Sequence, residues 1–411
     1  MRNRTLTLAT ILANLCLASA PATVFAGGAP LCEHVLASAS PMQITFAATG
    51  EWRKTEGNLF SAVRANAPHN WAYFKAIRPH LVSLREAFKV EGIGIGDFHI
   101  LNIGDIELSN GSRKIGLIDV DDGGHTSLFA DFTRSAISNQ VSPYKVPLHD
   151  LWKNYLDGLK DEKIQKPKII ETILGKSHSE YLAIQKKYLD KIIDGKGFTA
   201  AAGVRPLSEM DPVTRDVYVE SIGAMINSLG DVKILAQAYK IKDTGGSQGI
   251  PRFWFLIENK GARTVIELKT LAEPAMNLYE QQGTQRDRIN SLIEFYRPQR
   301  STFGFYRFVD GGKYQFIARE RTRGFLALDP EGKVSDKDVQ EGQDVYRYLA
   351  QRAGKWHADQ GQGEALFKAL TQDEAKSYAE FESIVNDYIE VMKRENGSET
   401  SKDATRKPGK P

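Results

Sequence analysis

The chain has almost no cysteine. Of its 411 residues only Cys16 and Cys32 are thiols. It also has no long apolar run after its first 26 residues, no Cys/His spacing of a zinc site, and no internal repeat. The stretch 1–26 has a basic start at Arg2 and Arg4, a mostly apolar segment Leu6 to Ala20, and Val24-Phe25-Ala26 before a small-residue cut. That pattern predicts a secretory signal peptide cleaved after Ala26. Cleavage removes Cys16, so no intramolecular disulfide can form and the fold must rest on its core. The absence of eighteen consecutive apolar residues later on predicts no membrane span once the signal is gone. Charge of one sign is lacking too: 54 basic against 51 acidic residues, two of the basic ones inside the signal. A near-neutral mature chain gives no broad basic surface for nucleic acid or anionic lipid. The expected location is the periplasm or the exterior.

What is present is ordinary globular material, 41% hydrophobic and 26% charged, with enough length for two lobes. Residues 27–50 read as an entry segment rich in Gly, Ala, Ser and Pro. Helical spacing dominates 51–230, with one pattern over 70–88 that Pro79 should break and others near 127–141, 148–160, 165–193 and 207–229. Short strands are expected at 92–95 and 115–119. From 231 to 325 the pattern becomes β-rich: five strands near 232–241, 253–257, 264–269, 303–309 and 314–319, with a helix over 283–297 between the third and fourth. Helices near 338–358 and 364–394 fill 326–395, and the polar tail 396–411 is expected to be disordered. The fold class is therefore α+β, with a small β lobe and a larger helical one.

The chemistry concentrates in two short stretches. Gly96-Asp97-Phe98-His99-Ile100-Leu101-Asn102 is a tight loop. Gly116-Leu117-Ile118-Asp119-Val120-Asp121-Asp122 is an apolar strand that ends in acids. Asp97 can accept a proton from an attacking hydroxyl. Asn102 can offer its amide oxygen to Mg²⁺, with Asp119 as the second ligand and Asp121 adding charge to the same turn. The same residues also suit two polar turns that use Asp and Asn for backbone hydrogen bonds. His99 reads as a prop for the loop, because no other His or Cys lies at ligand spacing. Asp131 and Arg134, in Phe129 to Ala136, read as a helix start whose Asp caps the helix or braces the catalytic loop.

The second group lies in the β-rich part. Gly246, Ser247 and Gly249 belong to a Gly-rich turn between strands, which can bring backbone N–H groups to phosphate oxygens. Lys269 ends an apolar strand and can point at the same phosphates, or serve as a charged guard of an edge strand. Glu294, on the following helix, is a candidate ion-pair partner for Lys269, and Glu273 is its competitor. Arg319 and Arg321 can bind phosphate or substrate, or be plain rim arginines. The Walker pattern is absent. Together these parts point to phosphoryl transfer, where catalysis is mostly positioning and charge neutralisation.

Gly96 to Asn102 resembles the catalytic loop of aminoglycoside and choline kinase relatives, and Leu117 to Asp122 resembles the metal-binding strand end that follows it there. The arrangement is most similar to the bacterial family catalogued as domain of unknown function 2252. Phe129 to Arg134, Gly246-Ser247-Gln248-Gly249 and Glu267-Leu268-Lys269 match that family's later motifs in order, over about residues 60–360. The resemblance implies a protein-kinase-like fold in circularly permuted order, since the Gly-rich turn and lysine strand follow the catalytic loop. It also implies Mg²⁺ and ATP or another nucleotide as cofactors, with Asp97 as base, Asn102 and Asp119 as metal ligands, and Lys269 on the phosphates. The acceptor stays unknown. A catalytically inactive kinase-like binding protein of the envelope is one alternative. A metal-dependent phosphoesterase using Asp97, His99, Asp119 and Asp121 is the other.

Overall fold

The structure is a computed structural model that describes residues 51–55, 58–108, 110–228, 232–241, 249–259, 261–296 and 306–397. The signal segment, the entry segment, Gly246, Ser247 and nearly all of the polar tail lie outside these residues. In chain order the first half holds α1 (Leu59–Ala65), α2 (Ala67–Ile77), β1 (Glu91–Gly94), β2 (Ile103–Glu107), β3 (Arg113–Leu117), β4 (Gly124–Ser127), α3 (Leu128–Gln140), α4 (Leu148–Leu159), α5 (Lys168–Leu174) and α6 (His178–Ile192). The second half holds β5 (Arg205–Pro206), α7 (Pro212–Ser228), β6 (Lys233–Ile241), β7 (Pro251–Asn259), β8 (Ala262–Thr270), α8 (Gln285–Tyr296), β9 (Tyr306–Asp310), β10 (Gln315–Glu320), α9 (Asp336–His357), α10 (Gly363–Thr371) and α11 (Glu374–Glu395). The class is α+β, and every strand pairing is antiparallel.

Local sequence explains the breaks. Pro79 sits in a short 3₁₀ turn that ends α2. The long helical pattern over 165–193 splits, because Ser177 and Glu180 form a capping box that starts α6 afresh. A second break falls at Asp373, whose side chain caps α11.

The helical body is built round α3, whose side chains from Leu128 to Asn139 are all buried. Phe132 stacks on Tyr155 of α4 at 3.9 Å, and Phe381 of α11 lies nearly parallel to it at 5.8 Å. Helices α4 and α9 touch backbone to backbone. A Cβ on Gly158 would lie 2.0 Å from the Gln351 carbonyl, so only glycine permits that approach.

The β-rich part is one sheet in the order β5-β6-β7-β8-β10-β9. It has six strands where the sequence predicts five, because Arg205 and Pro206 add a short edge strand beside β6. Cross-strand partners share a face. Arg252↔Lys269, Trp254↔Glu267, Ile317↔Lys269 and Arg319↔Glu267 therefore put these side chains on one side. On the other side, α7 lays Tyr218 against Phe253 and stacks it on Tyr314 at 4.2 Å. The chain leaves this sheet at Arg321 to Leu326, where the Asp105 carboxylate of β2 accepts the backbone N–H groups of Phe325 and Leu326 at 2.6 and 2.9 Å. Beside that exit, Gln185 of α6 exchanges two hydrogen bonds with the Arg323 backbone, at 2.5 and 2.8 Å.

Candidate functional site

The loop at Gly96 is held from three directions. Gly96 has φ +83°, the left-handed region that favours glycine. A Cβ there would lie 2.0 Å from the Asp122 carbonyl oxygen. The Asp131 carboxylate accepts the N–H groups of Ile95 and Gly96, both at 2.8 Å. Trp71 Nε1–H donates to the Gly96 carbonyl at 2.8 Å. Asp131 is fully buried, and burial pushes its carboxyl up to about 6 against the pull of those two N–H groups.

Asp97 sits in this loop, buried but for a small part of its side chain. Its Oδ1 accepts from Arg134 at 2.7 Å, and its Oδ2 faces His99 Nε2 at 3.0 Å. Burial favours the neutral acid, but the charges of His99 and Arg134 and the His99 hydrogen bond hold the carboxyl well below its usual range. Burial lowers His99 in turn. The direction for the pair is an ionised carboxylate held by His99 and by the permanent charge of Arg134. The other ring nitrogen of His99, Nδ1, is buried and has no hydrogen-bond partner among the described residues. Asn102 Nδ2 donates to the Asp97 carbonyl at 2.9 Å, which leaves its Oδ1 as the spare acceptor.

The acid turn meets the sheet directly. Lys269 Nζ lies 2.9 Å from Asp119 Oδ2 and 2.5 Å from Asp121 Oδ2. Arg319 reaches Asp119 at 3.5 Å and the Ile118 carbonyl at 3.4 Å. Burial works to raise Asp119, and Lys269 and Arg319 bring it well below its usual range. Asp121 moves up instead, through burial and the neighbouring Asp119 charge. Burial, Asp121 and Asp97 push Asp122 up to about 7.

Asp119 and Asp121 draw on shared cations, Lys269 between the two of them and Arg319 between Asp119 and Glu267. Such a set fits a hard cation with oxygen ligands: Asp119, Asp121 and the Asn102 amide oxygen. Among the described residues no three His, Cys, Asp or Glu side chains form a closed metal cage. Mg²⁺ does not need one, since it completes its shell with water and substrate phosphates.

Glu294 does not hold Lys269. It is exposed on α8 and makes no ion pair among the described residues. Helix α8 turns Arg288, Ile289, Leu292 and Tyr296 inward, and Glu294 falls off that stripe. Glu273 accepts instead from Asn277 at 2.6 Å. Gly249, the described end of the Gly-rich turn, has φ +79°.

Several residues in the site escaped the sequence reading. Arg288 NH1 donates to the carbonyls of Asp121 and Gly123 at 2.7 and 2.5 Å, so α8 pins the acid turn by its backbone. Burial lowers its guanidinium to about 10. Glu267, two residues before Lys269 and on the same face, accepts from Arg319 Nε and NH2 at 2.8 and 2.7 Å. It also accepts from Trp254 Nε1 at 2.9 Å, with Arg321 at 3.5 Å and Arg252 at 3.7 Å. Burial opposes its ionisation, and Arg319, Arg321 and Arg252 hold its carboxyl far below the usual range. The signal was the spacing Glu-x-Lys on a strand, which puts both side chains on one face.

Compared with known protein families, curated proteins and solved structures, the chain finds no match. No helix among the described residues is long and apolar enough to cross a membrane.

Proposed function

We propose that the chain is an exported, Mg²⁺-dependent phosphotransferase with a circularly permuted protein-kinase-like fold. It takes a phosphoryl group from a phosphoanhydride donor, a nucleotide by the family resemblance, to a hydroxyl acceptor. The observation that carries this reading is the meeting of Lys269 with Asp119 and Asp121, a phosphate-binding cation beside two metal-binding acids. The strand series with α8 between β8 and β9 supports it, as does the bracing of the Gly96 loop by Asp131.

In this reading Asp97 orients the acceptor hydroxyl and receives its proton, while Arg134 and His99 fix the carboxylate. Asp119, Asp121 and Asn102 would hold Mg²⁺, which would supply charge neutralisation at the donor's oxygens. Lys269 takes the donor's phosphates, with Arg319 and Arg321 beside it. Gly249 ends the turn that, with Gly246 and Ser247, would cover them. Glu294 has no part.

The test is thermal unfolding with Mg²⁺ plus ATP and, separately, Mg²⁺ plus tripolyphosphate, beside Lys269→Ala. A ligand that binds the folded form raises the midpoint by mass action. The expected result is a rise with at least one donor that needs Mg²⁺ and disappears in Lys269→Ala. No rise with either, in a folded protein, sinks the reading. That outcome leaves the catalytically inactive binding protein.

A further inference from the structure

We infer that the cavity between α6 and the end of the sheet at β8 and β10 binds a small uncharged amphipath, an apolar body with a hydrogen-bond-accepting head. The inference stands apart from the phosphotransferase reading. Thr264, in the cavity wall, is five residues along β8 from Lys269, roughly 17 Å on a strand.

The cavity has a volume of about 810 Å³, the size of a site for a small organic molecule. One wall is a face of α6. Leu182, Gln185 and Leu189 follow one another at helical spacing, and Ile193 continues the row just past the last turn. Leu189 and Ile193 also pack on the buried cluster of Trp254, Leu256 and Val265, so the fold fixes the apolar side of the cavity. Leu182 keeps 40% of its surface exposed where it borders the space. An apolar ligand body laid along this row removes that surface from water.

The opposite wall is polar. Thr264 lies on β8, Glu320 on β10, and Arg321 and Thr322 just beyond it. Charged side chains border the cavity in equal numbers of each sign: Lys186, Arg263 and Arg321 against Asp190, Asp194 and Glu320. Each has a partner in the fold. Lys186 pairs with Asp190 at 2.6 Å, and Arg263 with Glu258 at 3.4 Å. Asp194 accepts the backbone N–H groups of Lys196 and Gly197 at 2.7 and 2.9 Å. Glu320 accepts the Thr264 hydroxyl at 2.5 Å, and Arg321 faces Glu267 at 3.5 Å. A ligand with a net charge would lose its hydration and meet no opposing excess. A neutral ligand leaves the balance intact.

Arg321 selects the head. It keeps 29% of its side-chain surface, and its guanidinium lies over the Trp254 ring at 5.0 Å, which fixes its plane. A guanidinium only donates, and the contact with Glu267 leaves most of its N–H groups for other partners. The matching head is therefore an acceptor, such as an amide carbonyl or a hydroxyl oxygen. The site also borders the passage from the sheet to the helical body, since Gln185 in its wall exchanges two hydrogen bonds with the Arg323 backbone.

The experiment is isothermal titration of the whole protein with octanamide, octanoate and octylammonium, which share a chain length and differ in the charge of the head. Octanamide is expected to bind, and each charged relative to bind at least about tenfold more weakly. Leu182→Glu puts a charge on the apolar row and should weaken octanamide at least about tenfold. If that variant fails to fold, Leu182→Ala should weaken it about threefold through lost apolar contact. Val213→Glu, at a 72% exposed position of α7 on the other side of the sheet, should bind as the parent does. No octanamide binding, or a charged relative that binds as tightly, overturns the inference. Unchanged affinity in a folded Leu182→Glu or in Leu182→Ala also overturns it. A loss in Val213→Glu equal to that in the Leu182 variant marks adventitious binding to apolar surface and overturns it too.

Discussion

Lys269 and Asp119 are 150 residues apart in the chain, yet the lysine ammonium spans both oxygens of the aspartate at 2.9 and 3.1 Å. The neighbouring Asp121 shares the same ammonium. Lys269→Met should leave two adjacent carboxylates without their cation. A cost of about 2–4 kcal/mol is expected, below the range for a fully buried pair because both acids keep some solvent. Millimolar Mg²⁺ should restore more stability to this variant than to the parent. Equal Mg²⁺ responses in thermal unfolding would show that the acid turn is no cation site.

Arg288 and Glu294 lie on one helix and should behave as opposites. Arg288→Gln removes two charged hydrogen bonds to the Asp121 and Gly123 carbonyls, at about 2–4 kcal/mol together. It should also weaken Mg²⁺-dependent ligand binding. Glu294→Gln, on the exposed side of α8, should stay within about 0.5 kcal/mol of the parent and bind ligand normally. Urea unfolding of the two variants decides the matter, and a large loss in Glu294→Gln would contradict this assignment of the helix faces.

Gly96→Ala introduces a methyl group against the Asp122 carbonyl and forces a left-handed alanine. The conformation alone costs about 1–2 kcal/mol. The carbonyl cannot yield without moving the acid turn. The variant should therefore lose ligand binding out of proportion to its loss of stability, and a variant that binds normally would show the Gly96 loop to be remote from the site.

His357 makes stability fall in acid. Its ring is buried against Tyr155, whose hydroxyl lies 2.8 Å from Nδ1, and burial depresses it to about 3 from 6.5. The unfolded chain takes up a proton as pH drops below about 6.5, while the folded ring stays neutral until about 3. Stability is thus complete above about pH 6.5 and falls by about 1.4 kcal/mol per pH unit below it. His357→Gln should be weaker at neutral pH but have a flatter acid profile. Parallel profiles for the two proteins would remove His357 as the cause.

Most long helices and the main strands were legible in the sequence, since apolar spacing decides them. Helix α3 is an instance: its start at Leu128 follows the capping Ser127. The short pairs were legible only in part. The expected strand at 92–95 is β1, Glu91–Gly94, but its partner β4, Gly124–Ser127, was not seen. Four residues are too few to show a period of two. The loop positions of Asp97 and Asp119 were legible from the glycine turn and the apolar strand that precede them. The site was illegible where the fold chooses a partner across the sheet. Nothing in the sequence tells Lys269 to take Asp119 and Asp121 instead of a helical glutamate. That choice depends on which stripe of α8 faces inward.

The β-rich sheet is joined to the helical body where α6 runs into the segment before β5, through α8 between β8 and β9, and at Arg321 to Leu326. Gln185 laces the first passage to the last through the Arg323 backbone. The middle passage links the two sides of the site: β8 carries Lys269, and the chain runs on from it to Arg288, which holds the backbone of the acid turn. One stretch of sequence therefore supplies both the cation and the clamp that keeps its aspartates in place.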